Sequence, residues 1–201
     1  MRVVEKLSGA FRMLRDAPAY KKFGEIEPRL SVLIQGQNEG LAVDIGCGSR
    51  PKNPFRASST IGVDFVARPE TGVLGCDIVR QGLPLSDNEA SFVTAFDFIE
   101  HLPRTVVGER TRFPFVDLMN EVWRILRPGG FFLSYTPAHP FAIAHTDPTH
   151  VNIITEATFP RYFCAPEVMA GVYGFQGNFS LVEQGWRNHH LITVLRKPRA
   201  D

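Results

Sequence analysis

The chain lacks any run of about eighteen apolar residues, so no segment reads as a membrane-spanning helix. It also lacks an excess of either charge: 22 Lys and Arg against 21 Asp and Glu leave a formal charge of +1. Such a balance supplies no general field to draw in nucleic acid or an anionic membrane. Cysteine is scarce. Cys47, Cys76 and Cys164 are scattered and odd in number, which implies no disulfide framework and reads as reduced thiols in a cytoplasmic protein. The first residues lack the apolar centre of a secretory signal. There is no internal repeat and no low-complexity tract. What remains is 201 residues, 44% of them hydrophobic, which suits one domain with a sizeable core.

Residues 41–50, Leu-Ala-Val-Asp-Ile-Gly-Cys-Gly-Ser-Arg, organise the rest. The apolar run 41–45 with its single acid, Asp44, has the pattern of a buried parallel strand. Gly46 and Gly48 follow at once and allow a sharp turn and close approach of a ligand. A second run, 60–64, ends in Asp64, placed to accept hydrogen bonds from two ribose hydroxyls. A dinucleotide fingerprint would put a third glycine at 51, where this chain has proline. That substitution speaks against a pyrophosphate and an NAD-linked oxidoreductase, and for a nucleoside-type ligand. The plainer alternative is a strand and turn with a structural acid.

Four segments together resemble the class I S-adenosylmethionine-dependent methyltransferases. They are Val43-Asp44-Ile45-Gly46-Cys47-Gly48, then Gly62-Val63-Asp64, then Phe96-Asp97-Phe98-Ile99-Glu100-His101-Leu102, and residues 121–130, which end in Arg127-Pro128-Gly129-Gly130. The resemblance implies a Rossmann-like, seven-stranded, mostly parallel sheet with helices on both faces and the last strand antiparallel. It implies S-adenosylmethionine as cofactor, bound by Asp44, Gly46, Cys47, Gly48, Asp64 and Phe65. Asp77 would face the adenine amino group and Ile78 would pack on the ring, although Asp77 also reads as a loop acid capping a turn. Phe96 and Asp97 complete the cofactor set. Nucleic-acid methyltransferases of this class carry Asn/Asp-Pro-Pro-Tyr where this chain has Phe96-Asp97-Phe98-Ile99, so a nucleic-acid acceptor is not expected.

Residues 1–38 read as an N-terminal helical segment and 39–201 as the methyltransferase domain. Residues 1–23 form an amphipathic stripe with Arg2, Lys6, Arg12 and Arg15, read as a lid or as a membrane-surface or partner helix. Pro28 opens a short helix with Leu30, Leu33 and Ile34 on one face. Pro51 and Pro54 leave room for no more than one or two helical turns before residue 60. Residues 115–126 carry one apolar helical face. Pro166 is expected in the first turn of a late helix, and 179–182 with 191–195 as a closing antiparallel pair.

Residues 136–150, after the fifth strand, hold His139, His145, Asp147 and His150. Three readings stand together: a substrate loop with His145 or His150 as general base and Asp147 orienting it, a metal site of no standard spacing, and a structural Asp-Pro-Thr-His turn. His101, just past the fourth strand, and His139 are candidate acceptor contacts. His189 and His190 read as surface or edge residues. The activity these readings imply is methyl transfer to a small-molecule or glycan-precursor acceptor. A non-catalytic binding module acting through a partner is the rival.

Overall fold

The computed structural model describes residues 26–36 and 38–199. The amphipathic stripe at 1–23 lies outside the described residues. Helix α1 (Ile26–Leu33) precedes strands β1 (Leu41–Ile45), β2 (Ser59–Asp64) and β3 (Val73–Gly75). Helix α2 (Ile78–Gln81), strand β4 (Ala90–Phe96), helix α3 (Pro114–Ile125) and strand β5 (Leu126–Pro137) follow. The chain continues through α4 (Ile143–Thr146), α5 (Thr158–Phe163), β6 (Ser180–Arg187) and β7 (His190–Arg196). The sheet order is β3-β2-β1-β4-β5-β7-β6. Strands β1 to β5 pair in parallel, while β7 runs antiparallel to both β5 and β6. Among the described residues no helix is long and apolar enough to cross a membrane.

Alternation along the central strands builds two cores, one on each face of the sheet. Val93 and Ala95 of β4 and Phe132 of β5 face Leu118, Met119, Val122 and Ile125 of α3 and Phe159 and Phe163 of α5. Phe92, Phe96, Phe131 and Leu133 face the other way, toward Leu30 of α1 and Ile34 just after it. This second face has little helix. Residues 46–58 contain turns and no helix, because prolines at 51 and 54 interrupt any ladder. Phe55 fills the place instead, 2% exposed and stacked on Phe92 with ring centroids 4.6 Å apart. Leu30 and Ile34 are part of this core, so α1 packs with the sheet.

Helix α3 starts at Pro114, where a missing N–H costs nothing, and ends as Leu126 turns extended into β5. Its polar side staples the loop before β4. Glu121 Oε2 accepts from the Leu83 amide at 2.7 Å and from Arg124 Nη2 at 2.8 Å, and Arg124 Nη1 donates to the Leu85 carbonyl at 2.7 Å. The Arg124 hydrogen bond holds the Glu121 carboxyl below its ordinary range. A depressed acid pKa stabilises the fold above the unfolded pKa, and that contribution is lost as pH falls through the folded pKa. Glu121→Gln should therefore cost about 1–2 kcal/mol at neutral pH. The gap in melting temperature from wild type should narrow on acidification below the ordinary glutamate range. A gap independent of pH would show that the charge contributes nothing.

The late helical segments place their prolines differently. Pro160 lies in the first turn of α5, where its missing amide has no intrahelical partner to lose. Pro166 opens no α-helix. The chain there passes through a bridge between Cys164 and Phe179, and the next helical piece is a 3-10 turn, Met169–Tyr173.

Candidate active site at the carboxyl edge of the sheet

Beyond β1 the backbone turns left-handed at Gly46 (φ 66°) and again at Gly48 (φ 64°). The Gly46 amide donates to the Val63 carbonyl at 2.8 Å, which ties the turn to β2. A Cβ at Gly46 would run into the Phe98 ring. Asp64 Oδ2 accepts from the Gly48 amide at 2.8 Å, so the acid at the tip of β2 also fixes the glycine turn.

Asp44 sits beneath this turn and is fully buried. Its Oδ1 accepts from Thr94 Oγ1 at 2.7 Å and its Oδ2 from the Lys52 amide at 2.8 Å. Burial raises its pKa, and the two hydrogen bonds oppose the rise. Cys47 is packed under the absent side chain of Gly62. Burial, and then the carboxylates of Asp44 and Asp64, push its thiol up to about 11, so it is a packing group at neutral pH.

Gly46, Asp64, Phe65, Asp77 and Ile78 line a cleft of about 720 Å³. Phe98, His101, Leu102, Pro103, Val106 and Arg112 line the same cleft. Phe65 is 72% exposed, an unpacked ring beside the opening. Asp77 has two placements at once: it lines the cleft, and its Oδ1 caps α2 by accepting from the Arg80 amide at 3.2 Å. Asp44, Cys47 and Gly48 support the turn from outside the lining. Phe96 and Asp97 do not line the cleft. Phe96 points into the opposite core, 5.7 Å from the Tyr135 ring and under the Lys52 ammonium at 4.9 Å. Asp97, left-handed at φ 50°, sets its Oδ1 2.9 Å from His190 Nε2. His190 in turn stacks on Tyr135 at 4.4 Å, so it is a packed residue and not a free edge.

The histidines divide into two groups. His139 and His145 are exposed, their rings 5.9 Å apart, and neither lines the cleft. His150 has gone inward: its side chain is 10% exposed and its ring meets His101 edge-on at 4.7 Å. Asp147 accepts at Oδ1 from the Thr149 amide (2.8 Å) and hydroxyl (2.7 Å), and these bonds hold its carboxyl below the usual range. Thr149 Oγ1 lies 2.8 Å from His101 Nδ1. Asp147 thus acts mainly on the turn, and through Thr149 on His101; its Oδ2 is 4.0 Å from His150 Nε2. Glu100, which no sequence argument singled out, is buried between these groups and the sheet. Its Oε2 accepts from Thr136 Oγ1 at 2.7 Å, and its carbonyl accepts from the Val151 and Asn152 amides. Its place next to His101 in the quoted motif was the available signal.

No protein-family model and no curated relative matches the chain. Solved structures do. A SAM-dependent methyltransferase from Archaeoglobus fulgidus is 15% identical, with a TM-score of 0.55 over 88% of this chain and 95% of that one. The 1,6-didemethyltoxoflavin-N1-methyltransferase of Burkholderia thailandensis, solved with 1,6-didemethyltoxoflavin and S-adenosylhomocysteine, is 15% identical with a TM-score of 0.54 over 98% and 86%. The fold is that of the class I S-adenosylmethionine-dependent methyltransferases. The trans-methyltransferase CalH, solved with S-adenosylhomocysteine, gives a TM-score of 0.58 at 15% identity over 86% of this chain and 55% of its own. On this methyltransferase fold the cleft opens at the carboxyl ends of β1, β2 and β4, where open α/β sheets take their ligands.

Proposed function

We propose that the protein transfers a methyl group from S-adenosylmethionine to a small-molecule or glycan-precursor acceptor. One observation carries the reading: the fold gathers Gly46, Asp64, Asp77 and Ile78, which lie up to 32 residues apart in sequence, around a single cleft. In it Asp64 would accept from the ribose hydroxyls, Asp77 would meet the adenine amino group, Ile78 would pack on the ring, and Phe65 would lie against the bound cofactor. The glycine turn lets the ligand lie against bare backbone. With no helix starting after Gly48, the helix N-terminus that would hold a dinucleotide pyrophosphate is missing.

The acceptor enters along Phe98, His101, Leu102 and Val106, three apolar side chains and one imidazole that line the cleft. S-adenosylmethionine held in the cleft would supply an electrophilic methyl carbon to the acceptor's lone pair, and the carbon–sulfur bond would break to leave a neutral thioether. His101, held by Thr149, is the side chain placed to contact the acceptor, with His150 behind it. Asp147 positions His101 through Thr149. His139 and His145 stand apart from the cleft and have no part in the reaction. Arg112, with Arg80 one of two arginines lining the cleft among the described residues, is engaged by Asp117 at 2.9 Å, which gives little purchase to a polyphosphate backbone.

Calorimetry tests the cofactor half. S-adenosylmethionine and S-adenosylhomocysteine should each bind once per chain, and NAD should not bind. NAD binding with no response to S-adenosylhomocysteine would end the methyltransferase reading.

A further inference from the structure

Glu100, His101 and His150 each offer one ligand atom, and these atoms all lie within 4.8 Å of one another. Two of the three residues hold a buried polar atom without a partner: Glu100 Oε1 and His150 Nδ1. Glu100 is 1% exposed and the His150 side chain 10%. Buried side-chain oxygens and nitrogens are ordinarily paired, and leaving an acceptor dry is costly. Here two orphans fall in one cluster, and one of them belongs to a carboxylate.

The groups that orient these side chains are already in place. Thr136 Oγ1 donates to Glu100 Oε2 at 2.7 Å, which fixes the carboxylate and leaves Oε1. Thr149 Oγ1 engages His101 Nδ1 at 2.8 Å, which leaves Nε2, and Asp147 backs Thr149 at 2.7 Å. Hydrogen-bonded outer groups of this kind are how proteins aim metal-binding histidines and carboxylates. The Val151 and Asn152 amides, bound to the Glu100 carbonyl, pin the loop so that His150 stays over the cluster.

We propose that Glu100, His101 and His150 bind one divalent transition-metal ion, with zinc as the reference case. Two imidazoles and a carboxylate are a donor set suited to such ions, and three protein ligands leave a position open. Of the three ligands His101 lines the cleft, which is the route from solvent to that position. A water or an acceptor oxygen would fill it; this role at the acceptor rests on the methyl-transfer reading, while metal binding itself does not. The spacing is wider than the ~3.4 Å between donors of a tetrahedron with bonds of about 2.1 Å, and ring rotation draws the ligands in.

The test is zinc retention by the full-length protein without cofactor. After incubation with zinc and gel filtration, elemental analysis should find one zinc per chain, and the melting temperature should rise with zinc. Glu100→Gln and His150→Gln should each abolish retention. Thr149→Ala, at an exposed position that should not disturb folding, should weaken zinc binding by about 10- to 100-fold through His101. His145→Ala should retain zinc like wild type. Cobalt(II) should give the visible absorption of a low-coordinate site in wild type and not in Glu100→Gln. Zinc that is substoichiometric, that survives in Glu100→Gln, or that leaves with His145→Ala would overturn the site. It would point instead to a direct Glu100–His150 contact or to adventitious binding by the exposed histidine pair. A zinc-free protein that still binds S-adenosylhomocysteine would overturn this inference alone and leave the proposed function standing.

Discussion

Asp64→Ala is expected to weaken S-adenosylhomocysteine binding roughly 10- to 1000-fold. The carboxylate is proposed to accept from two ribose hydroxyls, and charge-assisted bonds of that kind are each worth ~1.5–3 kcal/mol before competition from water. The side chain is only partly buried at the cleft, so the net loss falls below the sum. The structure adds a second cost. Asp64 Oδ2 is the acceptor for the Gly48 amide, and alanine would loosen the turn against which the ligand lies. Asp64→Asn separates the two, because its amide oxygen can keep the Gly48 bond while the charge is lost. Asparagine should fall between wild type and alanine. Calorimetry on folded variants decides it: a loss in alanine with wild-type affinity in asparagine would show that Asp64 serves the turn alone, and affinity unchanged in both would show that it does not contribute to binding.

The second large effect belongs to Gly46→Ala. A side chain at φ 66° pays for a left-handed backbone, about 1–2 kcal/mol. The new methyl also runs into the Phe98 ring, and overpacking of this kind adds about 1–3 kcal/mol. Phe98 lines the cleft, so any relief by ring movement narrows the ligand site. A lower melting temperature and at least a tenfold loss of S-adenosylhomocysteine affinity are expected together. Adding Phe98→Ala removes the clash but not the backbone cost. The double variant should therefore be more stable than the sum of the single effects. Strict additivity would mean that the ring was never the obstacle.

The first two strands and the glycine turn between them were legible from local chemistry. Residues 41–45 and 60–64 are short apolar runs ending at Gly46 and Asp64, and the structure pairs them as parallel neighbours β1 and β2. The later region was less legible for a physical reason. Proline at 166 is compatible with a helix start and with an irregular turn, and only its neighbours choose. Phe96 and Asp97 sit in a motif that follows a strand, but a period of two sends Phe96 to the far core, and Asp97 turns to meet His190.

The sequence carried the fold class through the motifs of its family resemblance, and by itself determined the glycine turn and the acid at the tip of β2, because these two depend on apolar runs, backbone freedom and short spacings. It placed three histidines and an aspartate within one loop but could not sort them. That sorting needed tertiary structure, since it turns on which side chains the 147–152 segment presses against the end of β4. Amides of Val151 and Asn152 find the Glu100 carbonyl, His150 is carried inward onto His101, and His139 and His145 are left outside. Glu100, fifty residues before His150, acquires its meaning only through that contact, because burial and an unmet oxygen are properties of packing and not of sequence spacing.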